Sequence, residues 1–273
     1  MRKPDQIDFD KSVKTNPAQE GNSDSGLNKK VSSNETDKPI RLNKFIAHSG
    51  ICSRREADKL IASGQVKVNG DIVKEMGQKV GAADIVEFDG NTLQQEKKHY
   101  LLLNKPKGFI TTTDDPFERK TVMSLVKNAC NGRVYPVGRL DMATTGLLFF
   151  TNDGELAKKL IHPKHSIKKI YHVVLNNKLT RNDLAKISEG LELEDGIIKV
   201  DNIAYVKGVD NKKEVGIELH SGRNRIIRRI FESLGYKVVR LDRVSFAGLT
   251  KKDIPRGKWR HLSPKEISYL KML

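Results

Sequence analysis

"VGRLDMATTGLLFFTNDG" occupies residues Val137–Gly154. A Gly-Arg-Leu-Asp turn is followed by Thr-Thr-Gly, then by the compact apolar run Leu147–Phe150, then by Asn152-Asp153-Gly154. A short apolar run bounded by turn signals fits a strand buried on both faces. Two carboxylates, Asp141 and Asp153, bracket it. Asn-Asp-Gly is a natural turn, so Asp153 reads as structural. Asp141 stays open between a loop residue that caps backbone and a group that does chemistry.

Outward from this strand, the pattern from His99 to the C-terminus is mixed. "HYLLLNKP", "IYHVVL", "EVGIELH" and "KVVRLDRVSF" read as strands, and "ELAKKLIHP", "TRNDLAKISEG" and "NRIIRRIFESLG" as helices. Strands adjoin through turns more often than through long crossover helices. That predicts an α+β domain over residues 99–273 with a mainly antiparallel sheet and flanking helices.

Residues 40–90 read as a separate small module. Leu42, Phe45 and Ile46 make a helical stripe ended by Gly50. Ser53 and Glu56 form a capping-box pattern for a second helix, with Ala57, Leu60 and Ile61 as its buried face and Gly64 as its stop. Asn69-Gly70 inside the alternating stretch "VKVNGDIV" predicts a hairpin. Residues 91–98 read as a linker. Residues 1–39, rich in Ser, Asn, Asp, Lys and Gly, hold too little apolar surface to offset chain entropy and are expected to be a disordered tail.

The chain of 273 residues has a formal net charge of +16, which points to an anionic partner. The tail is neutral, with seven basic and seven acidic residues. From His220 to Arg260, twelve Lys and Arg face three Asp and Glu, a density suited to phosphate backbones. In the small module, residues 40–67 hold six basic and two acidic residues, so Arg41, Lys44, Arg54, Arg55 and Lys59 are expected on one basic helical face.

Several function classes drop out. Cys52 and Cys130 make neither a disulfide framework nor a zinc spacing. His162 and His165 have Pro163 between them and no further ligand set, so no metal is expected. Nothing approaches the ~18 apolar residues of a membrane span, and no signal core is present, so a soluble cytoplasmic protein without membrane contact is expected. There is no Ser-His-Asp order, Walker loop or Gly-x-Gly-x-x-Gly, and no second carboxylate pairs with Asp141 as a glycoside hydrolase requires. The residues alone reach a basic RNA-binding α+β protein with one suspicious Asp.

"RLNKFIAHSGICSRREADKLIASGQVKVNG" resembles the S4-type RNA-binding domain. "NKPKG", "VGRLDMATTGLLFFTNDGELAKKLIHP", "KKIYHV" and "SGRNRIIRRIFESLG" resemble, in order and spacing, the motifs of the RsuA-family ribosomal RNA pseudouridine synthases. "DPFERKTVMSLV" and "DGELAKKLIHP" are similar to the RluB-like branch that modifies large-subunit (23S) RNA. The resemblance implies that Asp141 is the catalytic carboxylate, Arg228 its cationic partner and Tyr171 the ring that stacks on a flipped uracil. It places Ile227 as an apolar contact, and Lys105, Arg139, Arg223, Asn224 and Arg225 as substrate or RNA contacts. It implies ribosomal RNA as partner, a monomeric enzyme and no cofactor, since the product is an isomer of the substrate. Two other readings stand beside it: a non-catalytic RNA-binding assembly factor, and a synthase acting on the small subunit or on several sites.

Overall fold

The computed structural model describes residues 38–209 and 211–273. The expected tail lies outside them, except for its last two residues. The described chain falls into two units that divide between Lys97 and Lys98.

In the first unit, β1 (Ile40–Arg41) leads into helix α1 (Leu42–His48), and helix α2 (Arg54–Ala62) follows. The capping box forms: Glu56 N donates to Ser53 Oγ at 3.3 Å, and Ser53 N donates to the Glu56 carboxylate at 2.7 Å. Strands β2 (Val66–Val68) and β3 (Asp71–Val73) make the hairpin. Its turn residues Asn69 and Gly70 both take positive φ, 53° and 91°, as the tight turn demands. β4 (Lys79–Val80) pairs with β1, while β5 (Val86–Phe88) and β6 (Asn91–Thr92) extend the β2–β3 sheet. Leu42, Ile46, Ala57, Ile61, Val66 and Val86 fill the core. Ordered packing runs past residue 90: Leu93 is buried, and Glu96 N donates to the His48 carbonyl at 2.9 Å.

The second unit is built on a nine-stranded sheet. Its first members are β7 (Tyr100–Lys105), β8 (Tyr135–Val137) and β9 (Thr145–Thr151), with the short helix α3 (Met123–Val126) in between. Helix α4 (Gly154–Ile161) and β10 (Lys169–Leu175) come next. Helix α5 (Arg181–Glu189) precedes a separate hairpin, β11 (Leu191–Leu193) with β12 (Gly196–Ile198). Then come β13 (Asn202–Tyr205), β14 (Glu214–Leu219), helix α6 (Ile226–Glu232) and the long β15 (Val238–Phe246). β16 (Leu249–Thr250), β17 (Trp259–His261) and helix α7 (Pro264–Met272) complete the unit. The strand order is β13-β14-β10-β15-β9-β7-β17, with β16 on β15 and β8 on β9. The α+β class and the mainly antiparallel sheet agree with the sequence reading.

The apolar runs are continuous because both faces are covered. Leu148 and Phe150 of β9 join the core on the α3, α5 and α6 side, while Leu147 and Phe149 join the core with α4 and α7. The Asp153 side chain caps α4, accepting from Leu156 N at 3.3 Å, and also accepts from the Tyr100 hydroxyl at 2.9 Å. Its role is structural, as the turn reading predicted.

One strand pair in this sheet is parallel: β15 beside β9, with Asp242 opposite Thr145 and Arg243 opposite Gly146. Gly146 has φ 106°, and a Cβ there would collide with the Arg243 backbone and the Asp242 carboxylate. Only glycine permits that approach. The crossing brings residues about a hundred positions apart in the chain to the turn that carries Asp141.

Candidate active site

The turn Leu140–Thr144 is fixed by its backbone. Lys105, fully buried at the end of β7, reaches under it and donates from Nζ to the carbonyls of Asp141 (3.0 Å), Thr144 (2.8 Å) and Pro106 (3.2 Å). Gly108 N donates to the Met142 carbonyl at 2.9 Å. Thr111 Oγ1 donates to the Leu140 carbonyl at 2.8 Å and accepts from Leu140 N at 3.3 Å. "NKPKG" is therefore a brace for the Asp141 turn. The expectation that Lys105 touches RNA is corrected: its ammonium is spent on three carbonyls and has no access to solvent. Burial pulls its pKa down to about 8, opposed by the charge of Asp141 and aided by that of Arg256.

A buried charge network anchors the brace. Arg256 donates to Asn104 Oδ1 at 2.6 Å and to Asp242 Oδ2 at 2.9 Å, and Lys251 Nζ donates to the same Asp242 oxygen at 2.7 Å. Burial alone would raise the Asp242 carboxyl, but these two cations outweigh it and hold it below the ordinary carboxylate range.

With its backbone so held, the Asp141 side chain is left free of hydrogen bonds among the described residues and is 38% exposed. Two cations approach it from the start of α6. Arg225 Nη1 and Arg228 Nε each lie 3.9 Å from Oδ2. Arg228 is only 11% exposed and is steadied by Nη1 donating to the Val238 carbonyl at 3.0 Å. Arg225, with φ 47°, turns the loop into the helix. Ile226, Ile227, Ile230 and Phe231 bury the other side of that helix.

A cavity of about 540 Å³ opens in front of Asp141, within the range of small-ligand sites. Its walls include Arg139, Tyr171, Arg223, Asn224, Arg225 and Ile227, so the structure gathers these sequence-predicted residues around Asp141. Arg228 stands behind the carboxylate rather than on the wall. Arg223 also donates to the Gly196 carbonyl at 3.0 Å, and Arg229 is held by Asp195 at 2.6 and 2.9 Å. Tyr171 sits at a register shift between Ile170 and Tyr171 of β10, a bulge that sets the direction of its side chain.

Among the cavity residues that sequence reasoning missed are Thr144, Lys169 and Arg243. Lys169 Nζ donates to the His220 carbonyl at 2.6 Å, and burial with the neighbouring Arg243 charge pulls its pKa to about 8. Among the described residues, the buried side-chain polar atoms without a hydrogen-bond partner are Thr144 Oγ1, Arg228 Nε and Arg243 Nη2. All three belong to this site. Such groups are rare in folded proteins, and their concentration at one cavity is what a ligand site requires. The only sequence signal was polar residues in an otherwise apolar strand, as in "VVRLDRVSF".

In the small unit Arg41, Arg54, Arg55 and Lys59 are exposed and Lys44 is half-buried, beside or on the two helices. Asn43 accepts from Arg54 at 3.4 Å and donates to Asp58 at 2.8 Å. No group of three or more metal-ligating side chains is found among the described residues, and none of their helices is long and apolar enough to cross a membrane.

The two units define an RNA-modifying enzyme class: an S4 domain, matched over residues 40–86, and an RNA pseudouridylate synthase domain, matched over residues 99–233. The chain belongs to the RNA pseudouridylate synthase family and is a pseudouridine synthase, an isomerase. It is 42% identical to ribosomal large subunit pseudouridine synthase B of Bacillus subtilis, over 85% of this chain and 96% of that one. It is 41% identical to an uncharacterized RNA pseudouridine synthase of Aquifex aeolicus, over 85% of this chain and 93% of that one. A crystal structure of a pseudouridylate synthase superposes with a TM-score of 0.60 at 30% identity, covering 85% of this chain and 99% of that one.

Proposed function

We propose that the chain isomerises a uridine of large-subunit ribosomal RNA to pseudouridine, with Asp141 as the reacting carboxylate. The observation that carries this reading is the arrangement at the cavity: a residue held by its backbone, its carboxylate free of hydrogen bonds among the described residues and faced by Arg225 and Arg228. The similarity to the Bacillus enzyme supports the choice of RNA.

The reaction breaks the bond from ribose C1′ to uracil N1, turns the detached base and joins C5 to C1′. The C5 proton is released and N1 gains one, so atoms balance without a cofactor. Asp141 acts on the sugar or base as nucleophile or base. Arg228, with Nε 3.9 Å from Oδ2, keeps the carboxylate aimed. Tyr171 stacks on the uracil, which must leave the RNA stack to reach the cavity. Flipping costs a few kcal/mol, offset by stacking of ~1–3 kcal/mol and by phosphate contacts at Arg139, Arg223, Asn224 and Arg225. The backbone brace from Lys105, Gly108 and Thr111 is prepaid in folding, so the turn does not reorganise during reaction.

We further propose that residues 40–90 grip structured RNA through Arg41, Lys44, Arg54, Arg55 and Lys59, and that residues 99–273 form the catalytic domain. The RNA substrate points to the cytoplasm as the place of action.

The test is carbodiimide primer-extension mapping of large-subunit RNA from cells with and without the gene. A pseudouridine that vanishes on deletion and returns with the parent gene, but not with Asp141→Asn, is the expected result. An unchanged large-subunit map would refute the assignment of substrate.

A further inference from the structure

Arg243 is a cation inside a wall of the cavity, 3% exposed, on the strand paired with the one that carries Tyr171. Its Nε donates to the Leu147 carbonyl at 2.7 Å, and its guanidinium lies over the Phe246 ring, 4.9 Å from the centroid. Nη2 has no partner. The adjacent carboxylate, Asp242, is taken by Lys251 and Arg256. A buried guanidinium with an unpaired donor is expensive in the empty protein, so a ligand acceptor is what would complete it. Arg243 is also the register partner of Tyr171, which sets the donor beside the ring that is to stack on the base.

We propose that Arg243 receives O4 of the flipped uracil and so selects uracil over cytosine and stabilises the detached base. This rests on the reading of the cavity as the uridine site. A base is a better occupant than a phosphate at this depth. The more exposed Arg139, Arg223 and Arg225 stand at the cavity's edge, where a phosphate keeps part of its hydration. Cytosine presents an amino group where uracil presents O4, and that amino group cannot accept from a guanidinium. When the C1′–N1 bond breaks, its electron pair leaves with the base and spreads over N1, O2 and O4. A cation donating to a carbonyl oxygen is then worth more than in the intact nucleotide. Turning the base to present C5 exchanges the places of O2 and O4, so the same donor meets a carbonyl oxygen before and after the turn.

The experiment compares the parent with Arg243→Met and Arg243→Lys, each checked by thermal melting, in single-turnover tritium release from a C5-labelled stem-loop. Arg243→Met should lower the saturating single-turnover rate by about 10²–10³-fold with little change in the protein concentration that half-saturates it, as removal of an oxyanion-type donor does, and Arg243→Lys should recover part of the loss. Stem-loops with 2-thiouridine or 4-thiouridine at the modified position test the contact on the parent protein itself. Sulfur accepts weakly, so at least one of them should slow the parent, and that penalty should disappear in Arg243→Met. A folded Arg243→Met variant within threefold of the parent, or a thio penalty equal in both proteins, would overturn the proposal. So would a methylphosphonate penalty, at a phosphate flanking the uridine, that disappears only in the variant; it would make Arg243 a phosphate ligand. If the parent forms no pseudouridine, the function reading fails by itself. Chemical-shift titration with free uracil and cytosine then decides Arg243: a uracil preference lost in Arg243→Met supports the contact, and an unchanged or absent preference overturns it.

Discussion

Replacing Arg228 with Met removes one of two cations that stand equally far from Asp141. Arg225 and Arg228 each place a nitrogen 3.9 Å from Oδ2, yet Arg225 is 48% exposed and Arg228 only 11%. Distance alone predicts equal effects; burial predicts unequal ones. At this separation Coulomb's law gives about 4 kcal/mol at an effective dielectric near 20 and about 1 kcal/mol in water. With each 1.4 kcal/mol worth about tenfold in rate, Arg228→Met should slow turnover by about 10³-fold, and Arg225→Met by no more than about tenfold. The assay is single-turnover tritium release from C5-labelled uridine, with filter binding for RNA affinity. RNA binding should fall only modestly in both variants, since many other Lys and Arg remain. A melt accompanies it, because Arg228→Met also loses the bond to the Val238 carbonyl, worth about 1 kcal/mol. A penalty for Arg225→Met as large as that for Arg228→Met would refute the burial argument. Equal losses of binding and turnover in Arg228→Met would make that residue one more phosphate contact.

Gly146→Ala should destabilise the second unit by at least ~3 kcal/mol, since its Cβ would meet the Arg243 backbone at a φ that alanine rarely adopts; a melting temperature within about 2 °C of the parent would contradict the account of the parallel crossing. Charge reversal at Arg54 and Arg55 should weaken RNA binding and reduce the slope of log affinity against log salt by about two, without shifting the melt; parent-like affinity at moderate salt would remove the small unit from recognition. Glu266 bonds Arg260 at 2.6 and 2.8 Å, and this pairing, with burial opposing it, lowers its carboxyl from 4.5 to about 2. A folded-state pKa below the unfolded one adds stability above about pH 4.5 that is lost as pH falls toward 2. Glu266→Gln should therefore destabilise the protein at neutral pH, with the deficit shrinking below about pH 4; a deficit independent of pH would mean the pair adds nothing through charge.

What the sequence revealed follows from the range of the forces involved. The Asn69-Gly70 hairpin, the Ser53–Glu56 capping box and the apolar run of β9 are local, and each formed where its residues predicted. The parallel crossing of β15 on β9 was invisible, because no local period encodes which distant strand lies beside Gly146. The same gap misled the reading of Lys105. A lysine in a turn motif is normally solvated, and only the folded chain reveals three carbonyls converging on its Nζ. Motif resemblance singled out Asp141, Arg228 and Tyr171, which the structure places at one site, whereas nothing local in the sequence singled out Arg243, whose distinguishing feature is a missing hydrogen bond among the described residues. α6 begins at Ile226, two residues after the start of the helical run read from Asn224, because Arg225 takes a left-handed conformation.

Asp141→Asn tests the central claim most directly. Asparagine keeps the shape of the side chain, and the turn is held by backbone bonds from Lys105, Gly108 and Thr111 that the substitution leaves in place. The variant should melt with the parent and bind the stem-loop with similar affinity. It should release tritium from C5-labelled uridine at least ~10²–10⁴-fold more slowly, because an amide can be neither the nucleophile nor the base. A stable Asn variant that releases tritium at near the parent rate would contradict the assignment of Asp141 as the reacting carboxylate.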